Sequence, residues 1–170
     1  MEGLPGKSFV AQVACVSPGY CGPIAYSTHP QIAKSGWLLR SHRDAMPVPL
    51  RFDFLEALGE RLHYKISGAQ GAGDYEKAVL GISTNGYAGF YQVANVAGFW
   101  KVQVTGEGSL ENSFRFLLRD HHGQRLAINT EEEVFGNLAN PHPGNTRRFD
   151  YLSVWHGEVV EFEARILHVL

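Results

Sequence analysis

Ile24-Ala25-Tyr26-Ser27-Thr28, Leu80-Gly81-Ile82-Ser83-Thr84 and Leu126-Ala127-Ile128-Asn129-Thr130 are the segments whose reading decides the fold. Each runs aliphatic, small, apolar, small polar, threonine. Apolar side chains at alternate positions put one face of an extended strand inward and leave the other to water, and the polar ending suits a turn. A motif that returns twice more along a chain marks one supersecondary unit repeated, because a single unit cannot bury its own apolar face.

Further elements recur around these segments. Arg51 to Gly59 reads RFDFLEALG, Gly98 to Gly106 reads GFWKVQVTG, and Arg148 to Gly157 reads RFDYLSVWHG. Phe52, Phe99 and Phe149 fall at the same place in each, and a glycine closes each. Another apolar strand follows: Leu62 to Ile66, Phe114 to Leu118, and Val160 to Ile166, with Phe9 to Val13 as its first copy. DFLEALGERL holds good helix formers and so competes for a helix. Its counterpart GFWKVQVTG is aromatic and β-branched, alternating at Trp100, Val102 and Val104, and agreement across copies favours a strand. The order of strands repeats about every fifty residues.

Three units of about four short strands each in one chain resemble the β-trefoil family. That resemblance implies an all-β domain spanning 1–170, with pseudo-repeats at approximately 8–60, 61–112 and 113–170. Six strands would close a barrel and six would form hairpins capping one end. Phe52, Phe99 and Phe149, with Ile24, Leu80 and Leu126, would meet in the shared core.

Composition narrows the function. Hydrophobic residues are 44% and charged residues 19% of the 170, a globular balance, and 19 glycines with 8 prolines supply many turns. Fifteen basic against seventeen acidic side chains give a formal charge of −2. The densest basic group, Arg40, His42 and Arg43, is too small for a nucleic-acid footprint. No apolar run approaches the ~20 residues of a membrane span, and the N-terminus makes a poor signal peptide. A cytoplasmic protein, or one exported without a cleaved signal, is expected. Cys15 and Cys21 flank a Pro-Gly turn; reduced thiols are favoured over a small-loop disulfide.

No motif of phosphate, zinc-protease, serine-hydrolase or CxxC chemistry occurs, so no catalytic residue, metal ligand or cofactor is assigned. Asp120-His121-His122-Gly123 reads as a polar hairpin turn, since adjacent histidines on a strand point to opposite faces. Glu131-Glu132-Glu133 reads as a solvated turn.

The β-trefoil resemblance implies a binding module, and the fold hosts lectins, protease inhibitors and actin-bundling proteins. The Gln-x-Trp signature of the ricin-B-like lectins is absent, and LRDHHGQRLAINTEEEVFG is closer to the fascin-like and fungal-lectin version. A carbohydrate-binding lectin is the first expectation, with glycans or glycoproteins as partners. Its ligand residues would come from hairpin loops: Asn85, Tyr87, Tyr91 and Asn95 in the second repeat, and Asn137, Asn140 and His142 in the third. Planar amides pair with sugar hydroxyls and aromatic rings take the C–H face. The alternative is a protease inhibitor acting through the long first-repeat loop, where Arg40, His42 and Arg43 precede Met46-Pro47-Val48-Pro49. Proline stiffness lowers the ordering cost of binding. A fascin-like module with a cytoskeletal partner is the third class. Within the loop, Trp37-Leu38-Leu39 is read as a strand.

Overall fold

Period-2 burial runs through the strands. Phe9, Ala11, Val13 and Cys15 are all buried along one strand, and Phe114, Phe116 and Leu118 along another, with the exposed Arg115 between. Alternating residues leave a pleated strand on opposite faces, so such a sequence buries one face without any special turn chemistry. A computed structural model describes residues 6–28, 34–41, 45–91, 98–106, 112–134 and 146–170.

Among the described residues the chain forms β1 (Phe9–Cys15), β2 (Gly22–Tyr26), β3 (Leu38–Arg40), β4 (Pro49–Leu58), β5 (Arg61–Gly68), β6 (Leu80–Ile82) and β7 (Ala88–Phe90). It continues with β8 (Trp100–Val104), β9 (Ser113–Arg119), β10 (Ala127–Val134), β11 (Thr146–Ser153), β12 (Glu158–Val159) and β13 (Phe162–Val169). The fold is all-β. A short helical turn, Gly73–Tyr75, links β5 to β6. The segment with helix-forming residues is β4, so the strand reading there holds, and Leu38–Arg40 is likewise a strand.

Six strands close on themselves. β1 pairs with β4, β4 with β5, β5 with β8, β8 with β9, β9 with β13, and β13 with β1, all antiparallel. Closure satisfies both hydrogen-bonding edges of every barrel strand. The remaining strands lie beyond the barrel: β2, β3, β11, β10 and β12 form a run of neighbours, and β6 pairs with β7. Trp100 of β8 donates its indole N–H to the Leu80 carbonyl at 2.9 Å, tying the β6–β7 hairpin to the barrel.

Ile24, Leu80 and Leu126 are each buried and line one interior space with Phe52, Phe116 and Phe162. The equivalence of Phe52, Phe99 and Phe149 needs correction. Phe52 is buried and stacks on Phe9 at 4.7 Å. Phe99 is only half-buried, beside His63, because its neighbour Trp100 takes the inward place on β8. One residue of shift exchanges the two faces of a strand. Phe149 stands on β11, outside the barrel, stacked on Tyr151 at 5.5 Å. In that part of the chain the barrel strand is β13, which buries Phe162 and Ala164.

Both cysteines are free thiols, Cys15 buried and Cys21 exposed. Asp120 to Gly123 forms the expected turn: Gly123 N–H reaches the Asp120 carbonyl at 3.0 Å, and the Asp120 carboxylate accepts the Gln124 N–H at 2.8 Å. The acidic run is not a turn. Glu131, Glu132 and Glu133 lie within β10, paired with Phe149, Arg148 and Arg147 of β11. Residues i and i+2 of a strand share a face, which brings Glu131 and Glu133 to one cation.

Candidate functional site

The connection from β3 to β4 is built as a held loop. At its start the Ser41 N–H donates to the Pro23 carbonyl at 2.8 Å, and at its end the Val48 N–H donates to the Ile24 carbonyl at 3.0 Å. Both acceptors belong to β2, so one strand grips the loop at two consecutive carbonyls. Glycine at position 22 permits this approach, since a Cβ there would lie 2.6 Å from the Ser41 carbonyl oxygen. Val48 is buried and fixes the exit in the core, and Pro49 accepts the Ala69 N–H at 3.0 Å.

Ala45 and Pro47 are half-buried, while Met46 is 79% exposed, more than any other large apolar side chain among the described residues. Pro47 and Pro49 lack N–H groups and have φ fixed by their rings, which narrows the conformations open to this stretch. Backbone so restricted from Pro47 to Pro49 has less entropy to lose on meeting a partner than a free chain.

Arg40, expected to face a partner, is engaged inside the protein. Its Nη2 donates to Oδ2 of Asp150, a residue only 5% exposed on β11. Thr130 Oγ1 donates to the other carboxylate oxygen at 2.5 Å. A buried carboxylate needs such partners, because leaving it unpaired costs several kcal/mol, about 3–5 by analogy with broken buried pairs. His42 and Arg43 lie outside the described residues.

The residues expected to hold a sugar are placed differently from one another. Tyr87 is buried: the indole of Trp37 covers its ring, and Tyr151 meets Trp37 edge-on at 5.2 Å. The Tyr87 hydroxyl donates to Glu131 Oε1 and accepts from Asn129 Nδ2 at 2.9 Å. Burial, then the Glu131 hydrogen bond, pushes the Tyr87 phenol up to about 12. Tyr91 is half-buried and donates to the Tyr87 carbonyl at 3.0 Å. Asn85 is exposed in the turn between β6 and β7. Asn95, Asn137, Asn140 and His142 lie outside the described residues. Within the described hairpin, then, both tyrosines hydrogen-bond internally, and the ring of Tyr87 is stacked on Trp37.

Sequence reasoning missed the cluster that occupies this region. Lys34 Nζ donates to Glu131 Oε2 at 3.4 Å and to Glu133 Oε1. The E-x-E alternation signals two acids on one strand face, but their cation comes from a loop 97 positions earlier. Among the described residues no group of three His, Cys, Asp or Glu side chains is placed to hold a metal ion.

No protein-family model matches the chain, and no curated protein matches it. Among solved structures, the double-headed arrowhead protease inhibitor A in complex with two trypsins is similar to it, with a TM-score of 0.57. The match covers 97% of this chain and 93% of that one, at 13% identity. The chain shares the fold of that β-trefoil inhibitor. At such identity the likeness is one of architecture, extending over almost the whole of both chains. Glycan recognition gains no support from it.

Proposed function

We propose that this protein is a non-enzymatic protease inhibitor of β-trefoil type that presents the loop between β3 and β4 to its target. The observation that carries the reading is the exposed Met46 tip between two backbone tethers to β2. The fold shared with a protease inhibitor supports the same class. A competitive inhibitor needs a segment that enters a cleft in extended form and does not relax once bound. Proline-restricted backbone at Pro47 and Pro49, with Val48 tethered to β2, supports this reading.

The reading extends to the architecture. We take the chain as three degenerate units, 8–60, 61–112 and 113–170. Each supplies two barrel strands, β1 with β4, β5 with β8 and β9 with β13, and carries hairpin strands between them. In the first unit the connection between its hairpin and its final barrel strand, residues 41–48, becomes the binding loop.

Titration of purified protein against a panel of active-site-calibrated serine and cysteine proteases tests the proposal. A stoichiometric fall in the activity of one class is expected. It should be lost when Ala45-Met46-Pro47 is replaced by Gly-Ser-Gly in a variant whose circular dichroism is unchanged. Full activity of every protease at a large excess of the protein would refute the reading.

A further inference from the structure

We infer that Met46 is the side chain that enters the protease, and that the target's cleft offers an apolar pocket rather than a carboxylate; this rests on the inhibitor reading above. Of the described residues near the tip, Met46 alone combines length with exposure. Val48 is buried, Ala45 and Pro47 are short and half-buried, and Arg40 spends its charge on Asp150. What the described residues of this loop offer is therefore an uncharged, unbranched thioether. Such a chain has several rotatable bonds and a polarizable sulfur, and it fills narrow apolar cavities of irregular shape. A pocket floored by an acid, as in trypsin, gains nothing from it, whereas the hydrophobic slot of a chymotrypsin-like enzyme buries it fully. The flanking Pro47 has its φ fixed by its ring and restricts the backbone of Met46 before it.

A thioether at the tip also makes the contact sensitive to oxidation. Hydrogen peroxide transfers one oxygen to the sulfur, giving the sulfoxide and water, and a flexible apolar end becomes polar. The sequence holds one other methionine, Met1, so a leucine variant at position 46 isolates the effect.

The experiment measures inhibition of chymotrypsin and trypsin by wild type, Met46→Leu, Met46→Asp and Arg43→Ala, each checked for an unchanged dichroism spectrum. Chymotrypsin inhibition is expected, retained within about tenfold by Met46→Leu and weakened by at least about 100-fold by Met46→Asp, as for a central interface anchor. Peroxide treatment should weaken wild type by a similar factor and spare Met46→Leu. Equal inhibition by wild type and Met46→Asp overturns the inference. If trypsin is the enzyme inhibited and only Arg43→Ala relieves it, Met46 is not the anchor although the inhibitor reading stands. If wild type inhibits neither of these nor any other protease, the inhibitor reading falls and this inference with it.

Discussion

The indole of Trp37 lies flat against the phenol of Tyr87, with ring centroids 4.2 Å apart and planes 7° from parallel. Trp37 precedes β3, and Tyr87 precedes β7, so this stack reinforces the single antiparallel bridge, Trp37 to Gly89, between their two hairpins. The third partner is β10, whose Glu131 and Asn129 take the Tyr87 hydroxyl. Trp37→Ala is expected to cost about 3–5 kcal/mol, the range for deleting a buried large aromatic. Tyr87→Phe keeps the stack and should cost about 1–2 kcal/mol for lost hydrogen bonds. Denaturant midpoints at constant slope measure both, and a reversed order would show that the hydrogen bonds dominate.

The same cluster makes stability fall at alkaline pH. Burial and Glu131 push Tyr87 up to about 12 from an ordinary 10, and burial with the charge of Glu133 pushes Tyr151 to about 12. Burial alone would lower Lys34, but the hydrogen bonds and charges of Glu133 and Glu131 raise it. The folded chain thus keeps protons that the unfolded chain has released. This contribution is complete below pH 10 and is lost as pH rises through about 12. Tyr87→Phe should flatten that decline, as read from unfolding free energy across the range; an unchanged slope would assign the loss to other groups.

Arg40 and Asp150 yield a prediction that separates support from contact. Arg40→Ala leaves a buried carboxylate with Thr130 as its close partner, and Arg148 reaches it only at 3.7 Å. A loss of about 3 kcal/mol in stability is expected, with the inhibition constant of the remaining folded protein unchanged. Weakened inhibition at full stability would place Arg40 in the contact instead.

Two glycines with positive φ should differ in their tolerance of a methyl group. A Cβ at Gly157, φ +101°, would lie 1.9 Å from the Ile128 carbonyl oxygen, whereas Gly59, φ +60°, has nothing within 4 Å. Gly59→Ala meets only backbone strain, about 1 kcal/mol or ~2–4 °C in Tm. Gly157→Ala forces the loop after β11 away from β10 and should lower Tm by clearly more. Equal shifts would show that the loop yields without cost.

Much of the fold is legible in local alternation. Ile24, Leu80 and Leu126 reach one interior because each opens a segment whose period sets its face. Phe99 shows the limit: an aromatic pair, Phe99-Trp100, gives two candidates for one inward position, and register decides between them. The site was less legible. Tyr87 looks like a ligand aromatic in a glycine-rich loop, and only the distant Trp37 turns it into packing. Arg40 looks like a free loop charge until Asp150, 110 positions away, is beside it. Met46 lay in the quoted proline-rich stretch, but its exposure depends on tethers to β2 that no local pattern reveals.

Amide hydrogen exchange of the protein alone and mixed with an excess of the most strongly inhibited protease tests the central claim most directly. New protection is expected at the amides of Ala45 and Met46, with the β4–β5 tip around Gly59 unchanged. Protection centred elsewhere, or none despite saturating protease, would contradict a role for this loop as the inhibitory element.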